Sequence, residues 1–411
     1  MDRTRPPLRF GLFIAPHHPA KENPTLALQR DVELVQYIED LGFDEAWIGE
    51  HHSAGWEYIG SPEVFIAYAA AKTSRIKLGT GMVSLPYHHP FMAAERMILL
   101  DHLTRGRVIF GVGPGSLPTD AEMIGLEPRV LRPMLEESVE AIVALLTSDE
   151  PVTMKTDWFT LEDAVLQLRP YSHPSFEMAV AAIVSPIGPR LAGRHGLSLV
   201  SIGATIKDGF DALGMHWNVL EEEAAYYGST VDRSRWRLIG PMHLAPTKAQ
   251  AIEEVRYGIE EWFHFMGKVS AVPQFQVFGE TVDEMISFIV DSGTGVIGTV
   301  DEACEQIQRL EEQSGGFGCY MLLGHHWADP AATRRSLELV ARHVMPEFQG
   351  SNRSMLRAVD RALAKHDPLF NAQQEALAEM TARHHSEVEA RVSAGEDGHP
   401  IKAEHPIKEG P

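Results

Sequence analysis

Apolar residues in this chain come in short continuous runs, and between the runs they recur at helical spacing. Residues 8–14 (Leu8-Arg9-Phe10-Gly11-Leu12-Phe13-Ile14), 45–49, 76–83 and 107–112 read as four strands. Leu28, Val32, Val35, Ile38 and Leu41 repeat every three or four positions, which predicts a helix over 25–41 that Gly42 ends. Ser61-Pro62 supplies a cap and a first-turn proline for a second helix to about residue 73, and 92–103 reads as a third. The order β-α-β-α-β-α-β with short links calls for parallel strands joined by right-handed crossovers.

The alternation continues. A helix over 128–146 is followed by an irregular excursion over 149–176, and 178–184 is a continuous apolar run of the kind a strand covered on both faces shows. Strands over 197–202, 237–244 and 319–323 alternate with helices over 186–195, 208–227, 247–266, 299–313 and 330–344. Residues 267–298 mix apolar, glycine and polar positions and read as an insertion. Eight strands and about eight helices close most simply as an α/β fold of the (β/α)8 TIM-barrel type, with an open doubly wound sheet as the alternative. The barrel is expected over 1–348. Residues 349–411 form a helical extension, with helices over 354–366 and 372–392 and a charged, disordered end from 395.

The net charge of −21 disfavours nucleic acid and anionic membrane as partners. Cys304 and Cys319 give neither a disulfide framework nor metal-type spacing, which points to a reduced, cytoplasmic setting. Residues 1–7 carry no apolar signal segment, and no run approaches the length of a membrane span.

In a barrel, the carboxyl ends of the strands face one pocket, and the sequence puts titratable residues there. The strand at 45–49 stops at Glu50-His51-His52, with Trp56 and Tyr58 beyond it. His17 and His18 follow the first strand, Gly113-Pro114-Gly115-Ser116 the fourth, and His325 and His326 the last. A metal site is disfavoured, because adjacent histidines on extended chain point in opposite directions and no HxH or HExxH occurs. Phosphate is better supported. Ser185-Pro186 opens a short helix that carries Arg190 and Arg194, and helix N-termini present free N–H groups to anions.

The ordered set Glu50-His51-His52, Leu78-Gly79-Thr80-Gly81, Leu85-Pro86-Tyr87-His88-His89-Pro90, Gly106-Arg107 and Phe110-Gly111-Val112-Gly113-Pro114-Gly115 resembles the bacterial luciferase-like flavin monooxygenases. The likeness runs over about residues 8–348, ending at Val344-Met345-Pro346-Glu347-Phe348, and is strongest to the limonene monooxygenase-like branch. It implies a TIM barrel that binds reduced FMN (FMNH2) supplied by a separate NAD(P)H flavin reductase.

By the same resemblance, O2 is the co-substrate, a C4a-peroxyflavin forms, and an apolar small molecule such as a terpene or ketone is oxygenated. His51 aligns with the family's catalytic histidine, a base or hydrogen-bond partner near the flavin, with Glu50 beside it. Gly81-Met82 aligns with a non-proline cis peptide under the flavin ring, Ser185 with a flavin-phosphate ligand, and Asp120 with a family acid. The family's reactive cysteine and phosphate-binding arginine are replaced by Gly113 and Pro114, so Arg190 or Arg194 is expected to take over the phosphate, while Gly113 leaves room beside the flavin. A homodimer is expected. Two other readings stay open, an F420-dependent hydride-transferring oxidoreductase and a non-catalytic flavin-binding protein.

Overall fold

The computed structural model describes residues 6–15, 17–273 and 276–395. The chain divides into two compact units, Met1–Gly350 and Ser351–Pro411. In the first, eight parallel strands close into a barrel: β1 (Arg9–Ile14), β2 (Glu45–Ile48), β3 (Lys77–Thr80), β4 (Val108–Gly113), β5 (Glu177–Ala182), β6 (Ser198–Ser201), β7 (Trp236–Gly240) and β8 (Cys319–Leu323). Each pairs with the next, and β1 pairs with β8 in the register Phe10 to Tyr320 and Leu12 to Leu322. The (β/α)8 barrel is therefore the fold, and the open sheet is excluded by the β1–β8 closure.

Alternation along each strand gives the barrel two cores. Phe13, Trp47, Met82, Ile109, Val200, Ile239 and Met321 pack together inside it. Phe10, Leu12, Ala46, Ile48, Phe110 and Leu322 pack outward against the helices. Trp47 decides what its neighbours can be. A Cβ added at Gly79 would lie 2.4 Å from the Trp47 ring, and one at Gly111 would lie 2.6 Å from the ring and 2.0 Å from the Thr80 carbonyl. Gly111 of β4 thus makes room for the indole.

Opposite the site, at the amino ends of the strands, Arg237 is fully buried. It donates to Glu45 (2.6 and 3.0 Å) and to Glu177 (2.7 Å), and Glu45 also accepts from Trp47 (2.8 Å) and Arg9 (2.6 Å). This paired cluster plugs the barrel floor.

The structure refines several predicted elements. The strand expected over 237–244 is two. Pro241 cannot donate to a ladder, and beyond it Met242–Leu244 leaves the barrel to pair with Val296–Gly298. The region 267–298 accordingly holds ordered structure, including the helix Val282–Asp291, which starts in a Thr281–Glu284 capping box. The helix expected over 247–266 breaks at Gly258, where a Cβ would meet the His326 carbonyl at 2.1 Å. A short helix, Pro118–Met123, was not anticipated, and it carries Asp120. The excursion over 149–176 contains the hairpin Val152–Lys155 and Thr160–Ala164.

The second unit consists of the helices Arg353–Ala364 and His366–Ser393. The second begins six residues earlier than expected, because Pro368 falls in its first turn, where a missing N–H costs no bond. The disordered end expected from 395 lies, beyond Gly395, outside the described residues. No helix among the described residues is long and apolar enough to cross a membrane.

Candidate active site

The site begins where β2 ends. Its four residues are buried, and Gly49 continues it by donating to the Ile14 carbonyl of β1 (3.1 Å). Beyond it, successive side chains of Glu50-His51-His52 point to alternate sides. Glu50 and His52 share a side. Glu50 accepts from His52 Nε2 (3.0 Å), His88 Nε2 (2.7 Å) and the Ser84 N–H (2.8 Å). Burial disfavours charge on Glu50, but the two histidines and Ser84 outweigh it, and its carboxyl is held below the ordinary range. Its bonds tie the loop after β2 to the loop after β3, and none of them goes to His51.

His51 turns the other way and meets different acids. Its Nδ1 donates to Asp120 Oδ2 at 2.9 Å, and its Nε2 lies 3.5 Å from Glu57 Oε2. The acid facing its free nitrogen is Glu57, a buried residue of the following loop that sequence reasoning passed over between Trp56 and Tyr58. Asp120 is itself fixed, accepting from the His52 N–H at 3.0 Å and from the Ser53 hydroxyl. Burial works against charge on His51, yet Glu57 and Asp120 outweigh it and raise its pKa. Burial raises Glu57 as well, with His51 and His18 opposing. Both facing groups thus hold a proton more tightly than usual, His51 through its acids and Glu57 through burial. The arrangement can take up or release a proton at His51 Nε2 while Asp120 fixes the ring.

Of the residues expected to hold a cofactor, Gly81 and Met82 follow β3 and are joined by a cis peptide, as the resemblance implies. The Gly81 N–H donates to the Ile48 carbonyl of β2 (2.6 Å), and a Cβ there would lie 2.7 Å from the Phe13 ring. Gly113 ends β4, next to Met82 and Ala181. Ser185 stands before the helix Ile187–His195, its hydroxyl 3.4 Å from the Ile187 N–H.

Arg190 and Arg194 are not brought to that helix start. Arg190 donates to Glu223 (3.1 Å), and Arg194 lies over the Tyr227 ring (4.9 Å to its centre). Both partners belong to the last turns of the helix Lys207–Tyr227, which runs back towards the amino ends of the strands. Helical rise carries the two arginines down the same wall, away from Ser185. A residue the sequence did not single out for the cofactor is Tyr87, whose buried hydroxyl has no partner among the described residues. Of the aromatics near the strand ends, Phe13 and Trp327 belong to packed cores.

The luciferase-like monooxygenase family profile matches residues 8–316. The chain belongs to that family. Among its luciferase-like relatives, limonene 1,2-monooxygenase of Rhodococcus erythropolis is 45% identical over 93% of this chain and 98% of its own length. The 4-hydroxyprotoasukamycin monooxygenase of Streptomyces nodosus subsp. asukaensis is 43% identical over 84% of this chain and 93% of its own. In structure, the oxygenating constituent of 3,6-diketocamphane monooxygenase from Pseudomonas putida, a type II Baeyer–Villiger enzyme solved with FMN, superimposes with a TM-score of 0.68. It is 28% identical and covers 83% of this chain and 99% of that one.

Proposed function

We propose that this protein is the oxygenating component of a two-component monooxygenase, using FMNH2 and O2 to oxygenate an apolar small molecule of the terpene or ketone class. The observation that carries the reading is the His51 cluster at the carboxyl face of a luciferase-like barrel, beside the Gly81–Met82 peptide. Family membership and the FMN complex of the diketocamphane relative support it.

The residues fit a flavin. The Tyr87 hydroxyl is buried without a partner among the described residues, and a polar group of a ligand would supply one. The first turn of the helix at Ser185 offers N–H groups to a phosphate. Gly81, Met82 and Gly113 would line the ring, with Ser185 and the helix start at the phosphate. When bound, reduced flavin supplies the electrons that activate oxygen. Asp120 holds the His51 tautomer and orientation, and His51 Nε2 gives or takes a proton against Glu57. Partial burial of these groups limits water at the proton-bearing atom.

The test is isotopic. Protein loaded anaerobically with FMNH2 is mixed with 18O2 and a panel of terpenes and ketones. One 18O atom should enter a product, and His51→Ala should abolish this. Peroxide release with no product from any panel member, or oxidation of reduced F420 in place of FMNH2 binding, would overturn the reading.

A further inference from the structure

The ends of β1 and β8 carry a second cluster that the His51 chemistry does not use. His17 is 5% exposed, and neither of its ring nitrogens has a hydrogen-bond partner among the described residues. The same holds for both ring nitrogens of His326. The two rings are 6.0 Å apart. Trp56 stands against both, 5.3 Å from His17 and 4.9 Å from His326, and Phe265 stacks on Trp56 at 4.7 Å. The nearest polar groups stand at the margin of hydrogen-bond range, Glu57 at 3.9 Å and the Gly324 backbone beside His17, and Glu261 at 3.7 Å from His326. A cavity of about 360 Å3 in the surface, lined by Pro19, Lys21, Trp56, Glu260, Glu261 and His264, shares Trp56 as a wall.

Burial, reinforced by His326 and His325, holds the His17 pKa well below the usual imidazole range, and burial lowers that of His326 against Glu261. A neutral imidazole offers one N–H and one lone pair. Buried polar atoms are normally bonded, and an unpaired one is destabilising. Two imidazoles kept unpaired beside an aromatic pair therefore suit a ligand that is apolar over most of its surface and polar at one point.

We propose that His17 and His326 form a subsite for a single oxygen of the substrate, a carbonyl or hydroxyl on an otherwise apolar skeleton that packs on Trp56 and Phe265. This rests on the monooxygenase reading and narrows it, since a pure hydrocarbon leaves both imidazoles unpaired. Glu57 links the subsite to the site, because its two oxygens face His17 and His51 respectively.

Limonene and carvone share a skeleton and differ by one carbonyl, so they serve as matched probes. Their binding to the FMN-loaded, oxidised protein is measured by calorimetry, without turnover. Carvone should bind about tenfold more tightly than limonene, the factor expected of one buried hydrogen bond. His17→Phe should abolish that preference with limonene affinity retained, and His17→Gln, which keeps a donor, should restore most of it. Thermal melts establish that each variant is folded, and His326→Phe gives an independent second variant. Equal binding of the two probes, binding of neither, or a preference surviving both phenylalanine variants would overturn the subsite. Loss of 18O incorporation with the carvone preference intact would instead remove the monooxygenase reading and leave the subsite standing.

Discussion

His51 and Asp120 stand 69 positions apart in the chain, and Nδ1 of one lies 2.9 Å from Oδ2 of the other. The short helix Pro118–Met123 delivers the carboxylate, and the loop after β2 delivers the imidazole. Asp120 also accepts from the His52 N–H, so it orients both the ring and the backbone beside it.

Asp120→Asn should leave the fold intact and lower turnover by about 10²–10⁴-fold, the range of a general acid–base contribution. Its carboxylate helps raise the His51 pKa, so removing the charge lowers that pKa. If neutral His51 is the active form, the acid limb of the rate profile moves to lower pH. An unchanged limb would rule out Asp120 as the group that sets it.

Glu57→Gln tests the other side of the ring. Glu57 is the first of the carboxylates that raise His51 against burial, so the amide should also shift the acid limb downward. Glu50→Gln provides the contrast. It weakens the anchor to His52 and His88, and it should lower thermal stability more than it moves the pH profile.

The double variant Arg190→Ala with Arg194→Ala should bind FMN as well as the parent, since these side chains engage Glu223 and Tyr227. Ser185→Ala should weaken FMN binding by roughly tenfold, as loss of one hydrogen bond to a charged group does. Flavin fluorescence titration measures both. A loss confined to the arginine variant would return the phosphate to them.

Arg237→Ala should cost about 3–5 kcal/mol in urea unfolding at pH 7, because it leaves the buried Glu45 with Arg9 alone and strips the half-buried Glu177 of its 2.7 Å partner. Burial alone would raise the Glu177 pKa, but Arg237 outweighs it and holds it at about 2. A lowered folded value means that the contribution is fully present above the unfolded value near 4.5 and is lost as pH falls through about 2. The parent should therefore lose more stability than Arg237→Ala over that interval.

Gly79→Ala pushes a methyl group into the Trp47 ring and should cost about 1–3 kcal/mol, measured by thermal unfolding. Parent-like stability would mean that the indole has space to move.

The strands and most helices were legible because burial on both faces leaves continuous apolar runs, and amphipathic helices leave a repeat of three to four. Boundaries failed where one residue overrode the pattern, as Pro241 did in dividing a strand and Gly258 in breaking a helix. His51 stood out because it follows a buried strand, and Asp120 through the family resemblance. Glu57 carried no signal, since an acid between two aromatics in a loop looks like any solvated residue until tertiary packing buries it.

By itself, the sequence determined the barrel, the face on which its histidines and acids gather and the residues that end its strands, because periodicity and chain order are local properties. Tertiary structure alone decided which acid meets which base. Alternation turned Glu50 away from His51, loop packing set Glu57 and Asp120 on the two sides of its ring, and helical rise carried Arg190 and Arg194 to Glu223 and Tyr227. Proton chemistry depends on separations of a few ångströms between distant parts of the chain, and only folding fixes those.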